Sequence, residues 1–198
     1  MTDAQLEGIA AQALNLARLD LERGKFNFLV ACYHDGRGLH RMSTLESDIN
    51  AKLGEGWLNS GETKDAAFGL FRFCVDILPP DAFIFVSVGN EFRPTAKLLA
   101  LDEAKRLEII GAGHDRHHRA VAEGLMTVRD VLQAVAQTPT QVCLRRQPCT
   151  PRGMSLDEPP TTRMMPQDRF SGRLKMYGDP NAQTLGVPPQ DDRRDPRR

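Results

Sequence analysis

The composition of this chain changes abruptly after Arg146, and that break limits how much of it can build a core. Nine of the 13 prolines fall between Pro148 and Pro196, and large aliphatic residues nearly vanish there, so this stretch offers little apolar surface to bury. Ordering a backbone costs roughly 1–2 kcal/mol per residue, and a polar, proline-rich segment cannot offset it. The expected organisation is a globular domain over residues 1–146 followed by a Pro/Arg-rich disordered tail over 147–198.

Before the break the pattern is regular. Leu6, Ile9, Ala10, Ala13, Ala17 and Leu21 make one stripe of a helix from Asp3 to Arg23. Thr2 with Gln5 fits a capping box, and Gly24 sits where a C-terminal cap belongs. Lys25 to Tyr33 and Leu39 to Met42 flank Asp35-Gly36-Arg37-Gly38, the signature of a hairpin. Ser43 with Glu46 suggests a second capping box, opening a helix that ends at Gly54. Glu62 to Leu78 is helical in spacing and is stopped by Pro79-Pro80. Ala82 to Val88 reads as a buried strand.

Pro94 to Arg106 suggests a helical turn, and Leu107 to Gly111 a short aliphatic strand. Ala120 to Met126 reads as a returning strand, with a helix starting at Thr127. One long helix from Asp115 is the alternative, although Gly124 would weaken it by about 1 kcal/mol. Gln141 to Arg145 supplies a last strand. This order predicts an α+β fold: a mostly antiparallel sheet with helices packed on one face.

Charge excludes some functions. The 26 basic and 26 acidic residues balance and the pI is about 7.0, so no long-range field favours nucleic acid. No apolar run approaches the roughly 20 residues needed to span a bilayer, and the first residues do not resemble a secretory signal. A cytoplasmic protein is expected. Cys32, Cys74, Cys143 and Cys149 form no C-x-x-C pair, which argues against a zinc knuckle. No P-loop, dinucleotide fingerprint or nucleophile elbow is present.

The five histidines cluster in His34 to His40 and His114 to His118, each after a strand-like run. If those turns meet at one end of the sheet, His34, Asp35, His114, Asp115 and His118 could ligate zinc or manganese. Cys32 and His34 would also share a strand face, although Cys32 reads first as core packing. In the tail, Phe170, Leu174 and Tyr177 recur at helical spacing among Arg169, Arg173 and Lys175, as in a segment that folds into a partner's groove.

Two functions follow. The first is a non-enzymatic protein-binding or adaptor module, without a cofactor, whose tail engages another protein through Phe170, Leu174 and Tyr177. The alternative is a metal-dependent hydrolase built on the histidine and aspartate turns.

Overall fold

The computed structural model describes residues 1–23, 29–54, 61–112, 114–150, 153–154, 158–170 and 174–177. Its frame is an antiparallel sheet in the order β2 (Gly38–Arg41), β1 (Leu29–Asp35), β3 (Ala82–Pro94), β4 (Met126–Gln137) and β5 (Gln141–Thr150). Two further strands pair with β5: β6 (Gly153–Met154) near its end and β7 (Thr161–Pro166) along its first half. Among the described residues six helices complete an α+β fold, as the sequence predicts.

The helices divide between the two faces of the sheet rather than sharing one. Helix α1 (Asp3–Glu22) packs Leu6, Ile9, Ala10, Ala13, Leu14 and Ala17 against Val30, Cys32, Ile84, Val86, Leu132, Ala134 and Cys143. Helices α2 (Ser43–Leu53) and α3 (Gly61–Ile77) cover the opposite face, where Ile49, Ala67, Phe68, Phe71 and Val75 meet Leu29, Ala31, Phe83 and Phe85. There the Phe68 and Phe71 rings stand edge-on to Phe85, with centroids 5.3 and 5.1 Å away, an arrangement that favours aromatic quadrupoles. A strand covered on both sides reads as an unbroken apolar run, which is why Ala82 to Val86 shows no alternation.

Local signals explain which expectations hold. The Thr2–Gln5 capping box is present, with Thr2 N donating to Gln5 Oε1 at 2.7 Å and Gln5 N to Thr2 Oγ1 at 3.2 Å. The Ser43–Glu46 box is not. Met42 holds the cap position, and Glu46 instead accepts from Ala31 N at 2.7 Å, a strand N–H just past the last β1–β2 pair. The expected cap at Gly24 lies outside the described residues.

The segment between β3 and β4 corrects three expectations. Leu107 to Gly111 is not a strand but part of helix α5 (Glu103–Ile110), whose N-cap Asp102 accepts from Lys105 N at 2.9 Å. Short α4 (Ala96–Leu99) precedes it and α6 (His114–Ala122) follows. Helix and strand then occur in the reverse of the expected order, because Gly124 takes φ 71° and stops α6, as a left-handed glycine commonly does. β4 begins at Met126 and pairs with β3 along twelve residues, from Pro94↔Met126 to Phe83↔Gln137.

The boundary at residue 146 falls inside β5. Gln147, Pro148 and Cys149 are buried, and β7 pairs residue by residue from Gln141↔Pro166 to Arg146↔Thr161. The sequence predicts that residues 147–198 are too polar to order, yet 147–150, 158–170 and 174–177 are part of the described fold. Backbone bonds to a sheet edge do not depend on side-chain hydrophobicity, and a few apolar anchors such as Met176 complete the seal. Residues 178–198 lie outside the described residues.

Candidate functional site

His34 and Asp35 close β1 beside the tight turn into β2. The turn uses Asp35 fully: its Oδ1 accepts from Arg37 N at 2.8 Å and lies 3.0 Å from His40 Nε2. The Arg37 N–H, helped by His40, holds the Asp35 carboxyl below the usual range. Gly38 adopts φ 129°, a conformation that requires glycine. His34 lies opposite Leu39 on one side and Ala82 on the other.

The second histidine stretch lies far away. His114 and Asp115 open α6, and the ligand role expected of their side chains falls outside the described residues. His117 Nε2 lies 3.1 Å from Ile109 O and 3.2 Å from Ile110 O, closing the last carbonyls of α5. The His118 ring stands edge-on to Phe92, with centroids 5.0 Å apart. Phe92 is ten residues along β3 from Ala82, the partner of His34, so at a rise of about 3.4 Å per residue the two stretches are separated by roughly 34 Å. That overturns the shared metal site, since ligands of one ion sit about 3–4 Å apart. Among the described residues no group of three or more His, Cys, Asp or Glu side chains could hold a metal ion.

The Cys32–His34 pair fares no better as chemistry. Burial, with Glu46 adding to it, pushes the Cys32 thiol up to about 12, so it stays protonated and packs in the core. His34 retains one anomaly. Its Nδ1 is buried without a hydrogen-bond partner among the described residues, a condition that costs about 1–3 kcal/mol when nothing satisfies the atom.

The tail residues expected to seek a partner are packed on their own domain. Leu174 and Tyr177 pack against the aromatic cluster under α3, and Met176 is buried within it. Gln137, fully buried at the end of β4, ties them down: its Nε2 donates to Leu174 O at 2.5 Å and its Oε1 accepts from Met176 N at 3.0 Å. Arg72 Nε donates to Lys175 O at 3.1 Å, and the Tyr177 hydroxyl donates to Pro80 O at 3.4 Å. Phe170 only closes a single 3-10 turn, its N–H donating to Gln167 O.

No protein-family model matches the chain, and neither a curated protein nor a solved structure matches it. Its function has to be read from its own surface.

That surface carries an exposed apolar group at the end of α3: Phe73 is 61% exposed, Ile77 57%, and Leu78, just past the helix, 78%. The inner stripe of α3 is already supplied by Ala67, Phe68, Phe71 and Val75. Phe73 and Ile77, four residues apart, lie one turn from each other on the outer side. A helix apolar on both sides is normally covered on both. The exposed charged residues of α3 are Glu62, Asp65 and Asp76, all acidic, while Lys64 and Arg72 are half-buried. The site is therefore an apolar group on a helix whose exposed charges are acidic. No helix among the described residues is long and apolar enough to cross a membrane.

Proposed function

We propose that this chain is a non-enzymatic protein-binding module whose docking surface is the outer face of α3, in place of the tail. The exposure of Phe73 and Ile77 on a helix whose other side is already buried, with exposed Leu78 just past its end, carries the reading. Scattered apolar residues are ordinary on a surface, but a contiguous group is a mark of contact sites. The exposed acidic charges of the helix select the partner: an amphipathic segment with two or three apolar anchors flanked by Lys or Arg, laid along the helix. A cytoplasmic setting is part of this proposal, supported by four free cysteines, which persist where thiols are kept reduced.

The test places a photocrosslinking p-benzoylphenylalanine at position 73 of the full-length chain, with the exposed Glu103 position as control. Crosslinks at 73 are expected to map to an apolar segment of another protein bracketed by basic residues. Phe73→Asp and Leu78→Asp should then each weaken the captured partner at least about tenfold, the scale of a lost anchor. Crosslinks no stronger than the control, or confined to this chain's own residues, would overturn the proposal.

A further inference from the structure

Helices α2 and α3 cover their face of the sheet over β1 and the start of β3; among the described residues, none from β4, β5 or β7 belongs to that cluster. Strand register sets what the rest of the face presents. Ser87 on β3 lies opposite Gln133 on β4, Gln133 opposite Arg146 on β5, and Arg146 opposite Thr161 on β7. Directly paired residues share a face, so one polar row crosses four strands. Arg163, two residues along β7 from Thr161, projects from the same face, a diagonal neighbour about 7–8 Å from Arg146. This row is independent of the outer side of α3.

Arg146 is the anomaly in the row. Every other half-buried arginine among the described residues, namely Arg18, Arg72, Arg106, Arg129 and Arg145, bonds a carboxylate or a backbone carbonyl. Arg146 is half-buried with no partner among them, and its Nε is buried and unsatisfied. A guanidinium held partly out of water without a counter-charge is costly, and an anion docking on it removes that cost. Nε lies too deep for a ligand, so contact falls to the two outer amines, which are not enclosed in that way.

The neighbours leave that approach open. Gln133 Nε2 donates to Ser87 Oγ at 3.3 Å, so the amide leans over β3 and away from Arg146. Gly89 permits this, because a Cβ there would meet Gln133 Nε2 at 3.0 Å. Glu91, farther along β3, is already held by Arg129 at 2.6 Å and by Arg93 at 3.0 Å. Thr161 and Arg163 stand exposed beside Arg146, adding a hydroxyl donor and a second positive charge.

We propose that this face binds a phosphate monoester, with two phosphate oxygens on the outer amines of Arg146, a third accepting from the Thr161 hydroxyl, and Arg163 supplying the second positive charge. The guanidinium fork matches paired phosphate oxygens, and two uncompensated guanidiniums match a dianion better than a carboxylate. A free organic phosphate and a phosphorylated serine share this chemistry. The test follows the amide signals of Arg146 and Thr161 in the full-length ¹⁵N-labelled chain, at constant ionic strength, during titration with α-glycerophosphate and, in parallel, Nα-acetyl-O-phosphoserine methylamide. Sodium acetate, a singly charged oxyanion, is the control.

Saturable shifts at both residues are expected with the phosphates and not with acetate over the same range, and the tighter phosphate identifies the source. Arg163→Gln, at an exposed position, should weaken binding about tenfold, the scale of one charged hydrogen bond. Arg146→Lys, which keeps the charge and loses the fork, should weaken it at least as much. Arg119→Gln, an exposed arginine on α6, should leave it unchanged. Absence of saturable shifts with either phosphate, equal binding of acetate, or undiminished binding by the Arg163→Gln or Arg146→Lys protein would each overturn the proposal.

Discussion

At the scale of single residues, Gln137 shows how a polar side chain can organise a core. It is fully buried, and both ends of its amide are engaged. Nε2 donates to Leu174 O, and Oε1 accepts from Met176 N and, at 3.3 Å, from Gln167 Nε2. Such networks stabilise only when satisfied, since an orphaned buried group bears its full desolvation cost. Gln137→Leu keeps similar bulk and leaves Leu174 O and Met176 N without these partners. At about 1–3 kcal/mol for each of the two orphans, the variant should lose roughly 2–6 kcal/mol in a urea denaturation, and the 174–177 amides should lose hydrogen-exchange protection. An unchanged midpoint would mean that water replaces the amide. No periodicity in the sequence marks this residue, because a buried Gln at a strand end looks like any polar loop residue.

At the scale of elements, the lesson lies in which segments announced themselves. Helix α1 was legible because its stripe is long and its capping box is local to Thr2 and Gln5. The β1–β2 hairpin was legible because Gly38 must sit at positive φ. Helix α5 was missed because a five-residue aliphatic run fits strand and helix equally, and the arbitrating signal was the Asp102 cap rather than the run itself. Strand β7 was missed for a different reason. Its stabilisation comes from main-chain bonds to β5, and Thr161 to Arg163 are exposed, so its composition is that of a surface loop.

The consequence is testable at the same scale. A chain ended after Arg146 would remove β7, the end of β5 and the 174–177 strap, taking Met176, Leu174 and Tyr177 away from the aromatic cluster. It should lack a cooperative thermal transition and a dispersed NMR spectrum. A well-folded 1–146 fragment would show that the segment is dispensable.

At the scale of the whole molecule, the two-sided core sets the response to alkali. Burial pushes the Cys32 thiol up to about 12 and Cys143 up to about 11. Burial, with the nearby Asp81 charge, pushes the Tyr177 phenol up to about 12. In the unfolded chain these groups release protons near 9 for the thiols and 10 for the phenol. Because the folded values are raised, their contribution is complete below pH 9 and is lost progressively as pH rises towards 11–12. The urea midpoint should therefore fall between pH 9 and 11, and Tyr177→Phe should shallow the upper part of that fall, leaving the thiol part. A midpoint independent of pH over this range would contradict the burial of these groups. On the acid side, Asp35, Asp102 and Glu158 are held low by hydrogen bonds, but Asp102 is exposed and Asp35 and Glu158 are only half-buried, where such pairs contribute little.

What the sequence determined by itself is what short-range physics encodes: the α1 stripe and its cap, the glycine-dependent hairpin, the proline stop after α3, and the α+β class. What only the tertiary structure decided is what depends on partners distant in the chain. It put α1 and α3 on opposite faces, set the histidine stretches at opposite ends of β3, drew residues 147–150, 158–170 and 174–177 into the fold, and turned Phe73 and Ile77 outward. Spacing along a chain records which side chains share a face, whereas the surroundings of that face are fixed by strand register and layer order.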